Sequence, residues 1–268
     1  MSLRSIARAE LLIHLWWLKN NKPLLVLWFL WPYLTALFIL ALGTAYGKLE
    51  EFRETMGVAS PILYVFVGSA VVFASASIVD IAASVALWHR WIGTLPYIYL
   101  APIRFNLYLV LSGVVGGLFM VSQNFIAIAP VVLILEGLLG GLRLLAVLSV
   151  MVLGMVPLIG IAVVAAVLTI AARVETNVVS FINPLLLLVS GIFYPVEILP
   201  RVLRALSEVV PVTYVVESAK IISTYTYPPG SLIVYIAAIL ATMALAYNGW
   251  SALVVSRSEK YIRRKGAI

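Results

Sequence analysis

Apolar residues run almost unbroken along most of the chain, and charged residues fall between the runs. A membrane-spanning helix needs roughly 20 mostly apolar residues. Six stretches meet that length: 24–46, with Pro32 inside; 62–87, with Asp80 as its one charge; 105–135 and 144–172, with none; 176–196, broken by Asn183-Pro184; and 231–256. No stretch shows the short alternation of a spanning barrel. The pattern predicts an all-α integral membrane protein with six transmembrane helices.

The intervening segments predict shorter helices. In 1–22, Arg4, Arg8 and Lys19 share one side of a helical wheel and Ile6, Ile13 and Trp17 the other, the form of an interfacial helix. The alternative is a frayed tail. Between the second and third runs, Thr94 is placed as an N-cap, Pro96 in a first turn, and Pro102 as a stop, giving a short helix within 94–102. From 197 to 224, Leu199, Val202, Leu203, Leu206 and Val209 recur at helical spacing. After Pro211 a second stripe follows, Val212, Val215, Val216, Ala219 and Ile222. Two short helices parted by proline, after a short fifth span, read as an external re-entrant hairpin. Gly113, Gly117, Gly137 and Gly141 match a close-packing spacing, which reads first as packing within the bundle.

Composition removes the other classes. The 268 residues are 63% hydrophobic and 11% charged, and the mean hydropathy is +1.11. A soluble domain of that make-up would expose large apolar patches, and a disordered chain would be far more polar. The net charge of +7 is a matter of position. Arg4, Arg8, Lys19, Lys22, Arg90, Arg104, Arg173, Arg257, Lys260, Arg263, Arg264 and Lys265 all lie on one side of a six-span topology. That leaves only Lys48, Arg53, Arg143, Arg201, Arg204 and Lys220 on the other. The asymmetry predicts cytoplasmic N- and C-termini, with 257–268 a basic tail, and needs no nucleic acid. Residues 1–22 lack the apolar core and small-residue cleavage site of a secretory leader.

Little catalytic chemistry is visible. There is no cysteine, and His14 and His89 are far apart in sequence, so no metal site is expected. No P-loop appears, so nucleotide is not bound that way. Asp80 is the one acid well inside an apolar run, a candidate site that also reads as a local ion pair. Gln123, Asn124, Asn183 and Asn248 read first as interhelical hydrogen-bonding groups. The features leave a translocation path driven by another subunit.

Three segments resemble one family, the type-2 (exporter) permeases of ATP-binding-cassette transporters. Arg90-Trp-Ile-Gly-Thr-Leu-Pro-Tyr-Ile-Tyr-Leu-Ala-Pro-Ile103 looks like its cytoplasmic motif, with His89 where an acid is usual. Ser190-Gly-Ile-Phe-Tyr-Pro-Val-Glu-Ile-Leu-Pro200 resembles its motif at the end of the fifth span. Leu203 to Tyr214 resembles the stretch after it, with Val210 where an asparagine is usual.

The resemblance implies a cell-membrane permease without catalytic residues, paired with a second, commonly identical permease chain. Two separate subunits would bind ATP and magnesium, and membrane lipids would surround the assembly. It implies that Arg90, Gly93, Thr94, Leu95, Pro96, Tyr97 and Pro102 couple to the ATPase. It also implies that the first and fifth spans form the dimer contact. Trp28, Phe29, Tyr33, Phe181, Phe193, Tyr194, Pro195, Pro200 and Pro211 become candidates for the path or external gate, or else lipid-facing and core residues. The expected cargo is a hydrophobic or amphiphilic molecule, drug or lipid-like. The alternative cargo is a lipid-linked glycan, which an aromatic-lined continuous channel would favour. A membrane enzyme or non-transporting scaffold is the reading from another class.

Overall fold

A computed structural model describes residues 3–46, 51, 54, 55, 57, 58, 60–171, 182–192, 194–225 and 229–265. The described residues are helical, without strands. The helices are α1 (Leu3–Asn20), α2 (Lys22–Tyr46), α3 (Pro61–Trp91), α4 (Leu95–Leu100), α5 (Phe105–Ala171), α6 (Ile182–Val189), α7 (Arg201–Val209), α8 (Pro211–Thr224) and α9 (Gly230–Lys265).

Three of them hold segments long and apolar enough to cross a membrane: Pro61–Trp91, Phe105–Ile170 and Gly230–Ser258. α2 carries a shorter apolar stretch, Lys22–Phe38. The predicted fifth span is described only in part, since 172–181 and 193 lie outside the described residues.

α5 is two legs. At Gly137 the backbone takes φ +63°, ψ −151°, a region essentially restricted to glycine. Past that point the chain folds back. Gly113 packs on Ile159 and Gly117 faces Met155, so one index falls as the other rises, as in an antiparallel pair. Arg143 closes the reversal with a 2.7 Å salt bridge to Glu136. The sequence pattern expects an eight-residue connection at 136–143; the structure narrows it to one glycine, because the helix resumes at once.

α3 is the centre of the bundle. Its small residues let neighbours approach: Ala82 and Ile78 meet Gly113 and Gly117 of α5, and Gly68 meets Ile192. Both G-x-x-x-G glycines of that leg are thus spent on packing within the chain. α8 buries the whole predicted stripe Val212, Val215, Val216, Ala219 and Ile222, with Val215 against Gly154 of α5. α7 differs from expectation. Val202 and Val209 on its apolar stripe are exposed, because among the described residues no other element covers that face. α9 lies outermost and is mostly exposed, tied on where Asn248 Nδ2 donates to the Val156 carbonyl at 3.0 Å.

α1 packs along the first leg of α5 and touches α2. A Cβ on Gly116 would stand 2.7 Å from Ile81 of α3 and 3.1 Å from His14 of α1, so the three helices cross at that glycine. From Ile81, α3 continues ten residues, about 15 Å, to reach α4.

Candidate functional site

The α3–α4 junction is built by a helix stop. α3 ends at Ile92, and Gly93 follows with φ +73°. The Thr94 amide bonds the His89 carbonyl (2.8 Å) and the Gly93 amide bonds the Arg90 carbonyl (3.2 Å), the paired bonds of a Schellman motif. This motif needs glycine at the left-handed position, which is a local reason for the Gly-Thr pair.

Side chains reinforce the stop. Such motifs usually carry an apolar contact between the residue after the glycine and the last helical turn. Here it is polar: Thr94 Oγ1 and His89 Nδ1 are 2.7 Å apart. The expected side-chain cap by Thr94 is therefore absent from α4, because the hydroxyl is turned back to His89.

The other histidine nitrogen, Nε2, lies 2.7 Å from the Tyr108 hydroxyl on α5. Glu10 of α1, only 8% exposed, is a charged neighbour of Tyr108. With Nε2 protonated, Thr94 donates to His89 and His89 to Tyr108. These bonds join the end of α3 to the N-cap of α4 and the start of α5.

Burial lowers the His14 pKa from its usual value, and the Glu10 charge opposes that shift. The two histidines, remote in sequence, share that one charged neighbour. Sequence reasoning missed Glu10; its spacing from Ile6 and His14 on one helical face was the available signal.

α4 itself is held by one end and bare at the other. Leu95 is 3% exposed, and Tyr99 stacks on Phe105 at 4.5 Å. Tyr97 is 72% exposed and Leu100 82%, and Trp88, Trp91 and Ile92 are exposed beside them. Pro96 and Pro102 are exposed as well. Arg90 is half-buried, and its Nη1 has no hydrogen-bond partner among the described residues.

A second feature is an apolar trench on the other side of α3. One cavity of about 440 Å³ lies between α2, α3 and α6, lined by Trp31, Leu34, Thr35, Phe38, Val72, Phe73, Ala76, Asn183 and Leu187. An adjoining one of about 220 Å³ adds Trp28, Ser77, Asp80, Ile81 and Met120, and shares Phe73, Ala76 and Asn183. Asn183 Oδ1 is buried there without a partner among the described residues. Asp80 marks the end nearer the α1 crossing.

The candidate path residues divide on this geometry. Trp28 lines the trench and stacks on Trp17 of α1 at 4.6 Å. Tyr33 turns away from it, donating to the Ala127 carbonyl of α5 and meeting Phe66 edge-on. Phe29 lines neither cavity. Phe181 and Phe193 lie outside the described residues.

Tyr194 belongs to a cluster of caps at the end of α6. The last four carbonyls of a helix lack intrahelical partners. Here Ser190 donates to Leu187, Tyr194 to Leu188 and Thr213 of α8 to Val189, and just past the helix Tyr64 of α3 donates to Gly191. Pro195 and Pro200 bracket the single turn Val196–Ile198, and buried Pro211 starts α8. This ties α6 to α3 and α8 at the end away from α4.

A lipid-compatible helical bundle, an apolar trench and an exposed short helix are the features of a membrane permease. Residues 22–223, from α2 to the end of α8, match the ABC-2 type transporter family, and the chain belongs to that family. Its permeases typically pair with an ATP-binding subunit. Comparison with curated proteins returns no match.

Proposed function

We propose that the chain is the permease subunit of an ATP-driven exporter in the cell membrane, moving a hydrophobic or amphiphilic molecule. It crosses the membrane six times, with both termini and α4 in the cytoplasm. Two permease chains pair through α2 and the segment containing α6, and two separate subunits bind ATP and magnesium. The trench opens on the face where the second copy docks.

The observation that carries this reading is the bare tip around α4. Trp88, Trp91, Ile92, Tyr97 and Leu100 gather exposed apolar side chains around α4, about 15 Å along α3 from the α1 crossing and at the end of the apolar segment Pro61–Trp91. Apolar patches rimmed by polar groups mark protein contacts. On this reading nucleotide-driven closure of the ATPase pair pushes α4. Buried Leu95 and the Thr94–His89–Tyr108 hydrogen bonds pass the push to α3 and α5.

Co-purification with candidate ATP-binding subunits encoded by neighbouring genes tests it, together with ATP-driven uptake of a fluorescent amphiphile by inverted vesicles. Leu100→Asp with Tyr97→Asp is expected to abolish association and leave the permease folded. Full association by that variant overturns the assignment of α4.

A lipid-linked glycan is the second reading, favoured by Trp28, Trp31 and Phe73 in the trench, since aromatic faces suit sugar rings. Vesicles that export the glycan and ignore the amphiphile decide for it.

A further inference from the structure

We infer that the groove between α1 and the first leg of α5 is a binding site for an anionic membrane phospholipid. The groove is a cavity of about 820 Å³. Arg4 and Arg8, one turn apart on α1, line one side; Val115, Leu118 and Phe119 of α5 line the other, with Ser122 beyond.

Charge and shape agree on the occupant. Both arginines are exposed, and among the described residues neither makes an ion pair. No carboxylate lines the groove. Glu10, the acid closest to Arg8 along α1, is buried on another face against Tyr108. Guanidinium groups fork onto phosphate oxygens in two parallel bonds. The facing apolar wall needs cover that a soluble anion does not supply, and an acyl chain does. A zwitterionic headgroup brings a cation of its own against two arginines. The amphiphile that satisfies both halves is a phospholipid with net negative charge, drawn from the membrane on which α1 lies.

The groove shares no lining residue with the trench, so its lipid is a resident one, distinct from cargo. Its consequence is regulatory. A lipid clamped by Arg4 and Arg8 fixes α1, and α1 carries Glu10 beside Tyr108, the residue bonded by His89. The inference rests on α1 lying at the membrane surface, and its test needs neither transport nor an ATPase.

The test is native mass spectrometry of the purified chain in detergent with equimolar phosphatidylglycerol and phosphatidylcholine. One phosphatidylglycerol per chain is expected to remain bound and to resist excess inorganic phosphate. Arg4→Gln with Arg8→Gln is expected to cut the preference for phosphatidylglycerol about tenfold or more. Both side chains are exposed, so the variant keeps its fold. Equal retention of the two lipids by the natural chain, an unchanged preference in the variant, or displacement by phosphate overturns the site.

Discussion

His89 Nε2 and the Tyr108 hydroxyl stand 2.7 Å apart, across the gap between the end of α3 and the start of α5. It is the second of two bonds that run from Thr94 through His89 to Tyr108. Removing the tyrosine hydroxyl strands a histidine N–H. An orphaned buried polar group costs about 1–3 kcal/mol. Tyr108→Phe is therefore expected to lower the melting temperature by about 2–10 °C in a fluorescence thermal-shift assay. Tyr97→Phe, changing a hydroxyl on an exposed ring, serves as the control and should leave it unchanged. Identical melting curves for all three proteins would remove the energetic role of that bond.

The same corner predicts a pH dependence. His14 has a pKa lowered by burial. A lowered value means that the folded state holds fewer protons than the unfolded one, between the folded pKa and the unfolded value near 6.5. Stability contributed by the neutral ring is complete above that unfolded value and is lost as pH falls toward the folded one. Melting temperature should be flat from neutral pH upward and decline through acid pH below about 6.5. His14→Gln should shallow the decline, which a pH series of thermal shifts reads directly. A decline equally steep in that variant would assign it to other groups.

Much of this architecture was legible in the chain itself. Runs such as 62–87 and 231–256 are long enough to announce helices from length and polarity alone. Gly93 and Pro102 bracket α4 within two residues of its observed ends, because a helix stop is local chemistry. Glu10 was not legible as a functional residue. It sits in an amphipathic stretch where an acid reads as solvated, and its neighbour Tyr108 is brought to it only by the crossing of α1 over Gly116. The contacts of Tyr33 were hidden for a similar reason. Its place among aromatic residues of the first span reads equally as path or core, and only the α2–α5 packing puts its hydroxyl on the Ala127 carbonyl. The reversal at Gly137 was hidden because several glycines near it share the composition of a loop, and only one takes the left-handed conformation.

That reversal carries its own prediction. An alanine at Gly137 would meet no atom within 4 Å, so space is not the obstacle. The obstacle is backbone strain, since φ +63° with ψ −151° is costly for any side chain, by about 1–3 kcal/mol. Gly137→Ala should lower the melting temperature, whereas Gly249→Ala, which has open space and no positive φ, should hold or raise it. Equal stability of the two variants would contradict the hairpin geometry.

Ala76 stands where the two halves of the trench join, since it lines both cavities together with Phe73 and Asn183. A tryptophan there fills the passage between Asp80 and Leu187 without touching α4 or the hydrogen bonds that hold it. Cargo transit and ATPase docking should then separate. Ala76→Trp is expected to reduce amphiphile transport in vesicles about tenfold or more, the loss expected when bound cargo is displaced by a clash worth over about 1.4 kcal/mol. Association with the ATP-binding subunit should be unchanged. Phe73→Ala, which widens the same point, should instead shift preference toward bulkier cargo, read by competition between two dyes of different size. If both variants transport as the natural chain does, the trench is a seam filled by lipid or by the second permease copy, and cargo crosses elsewhere.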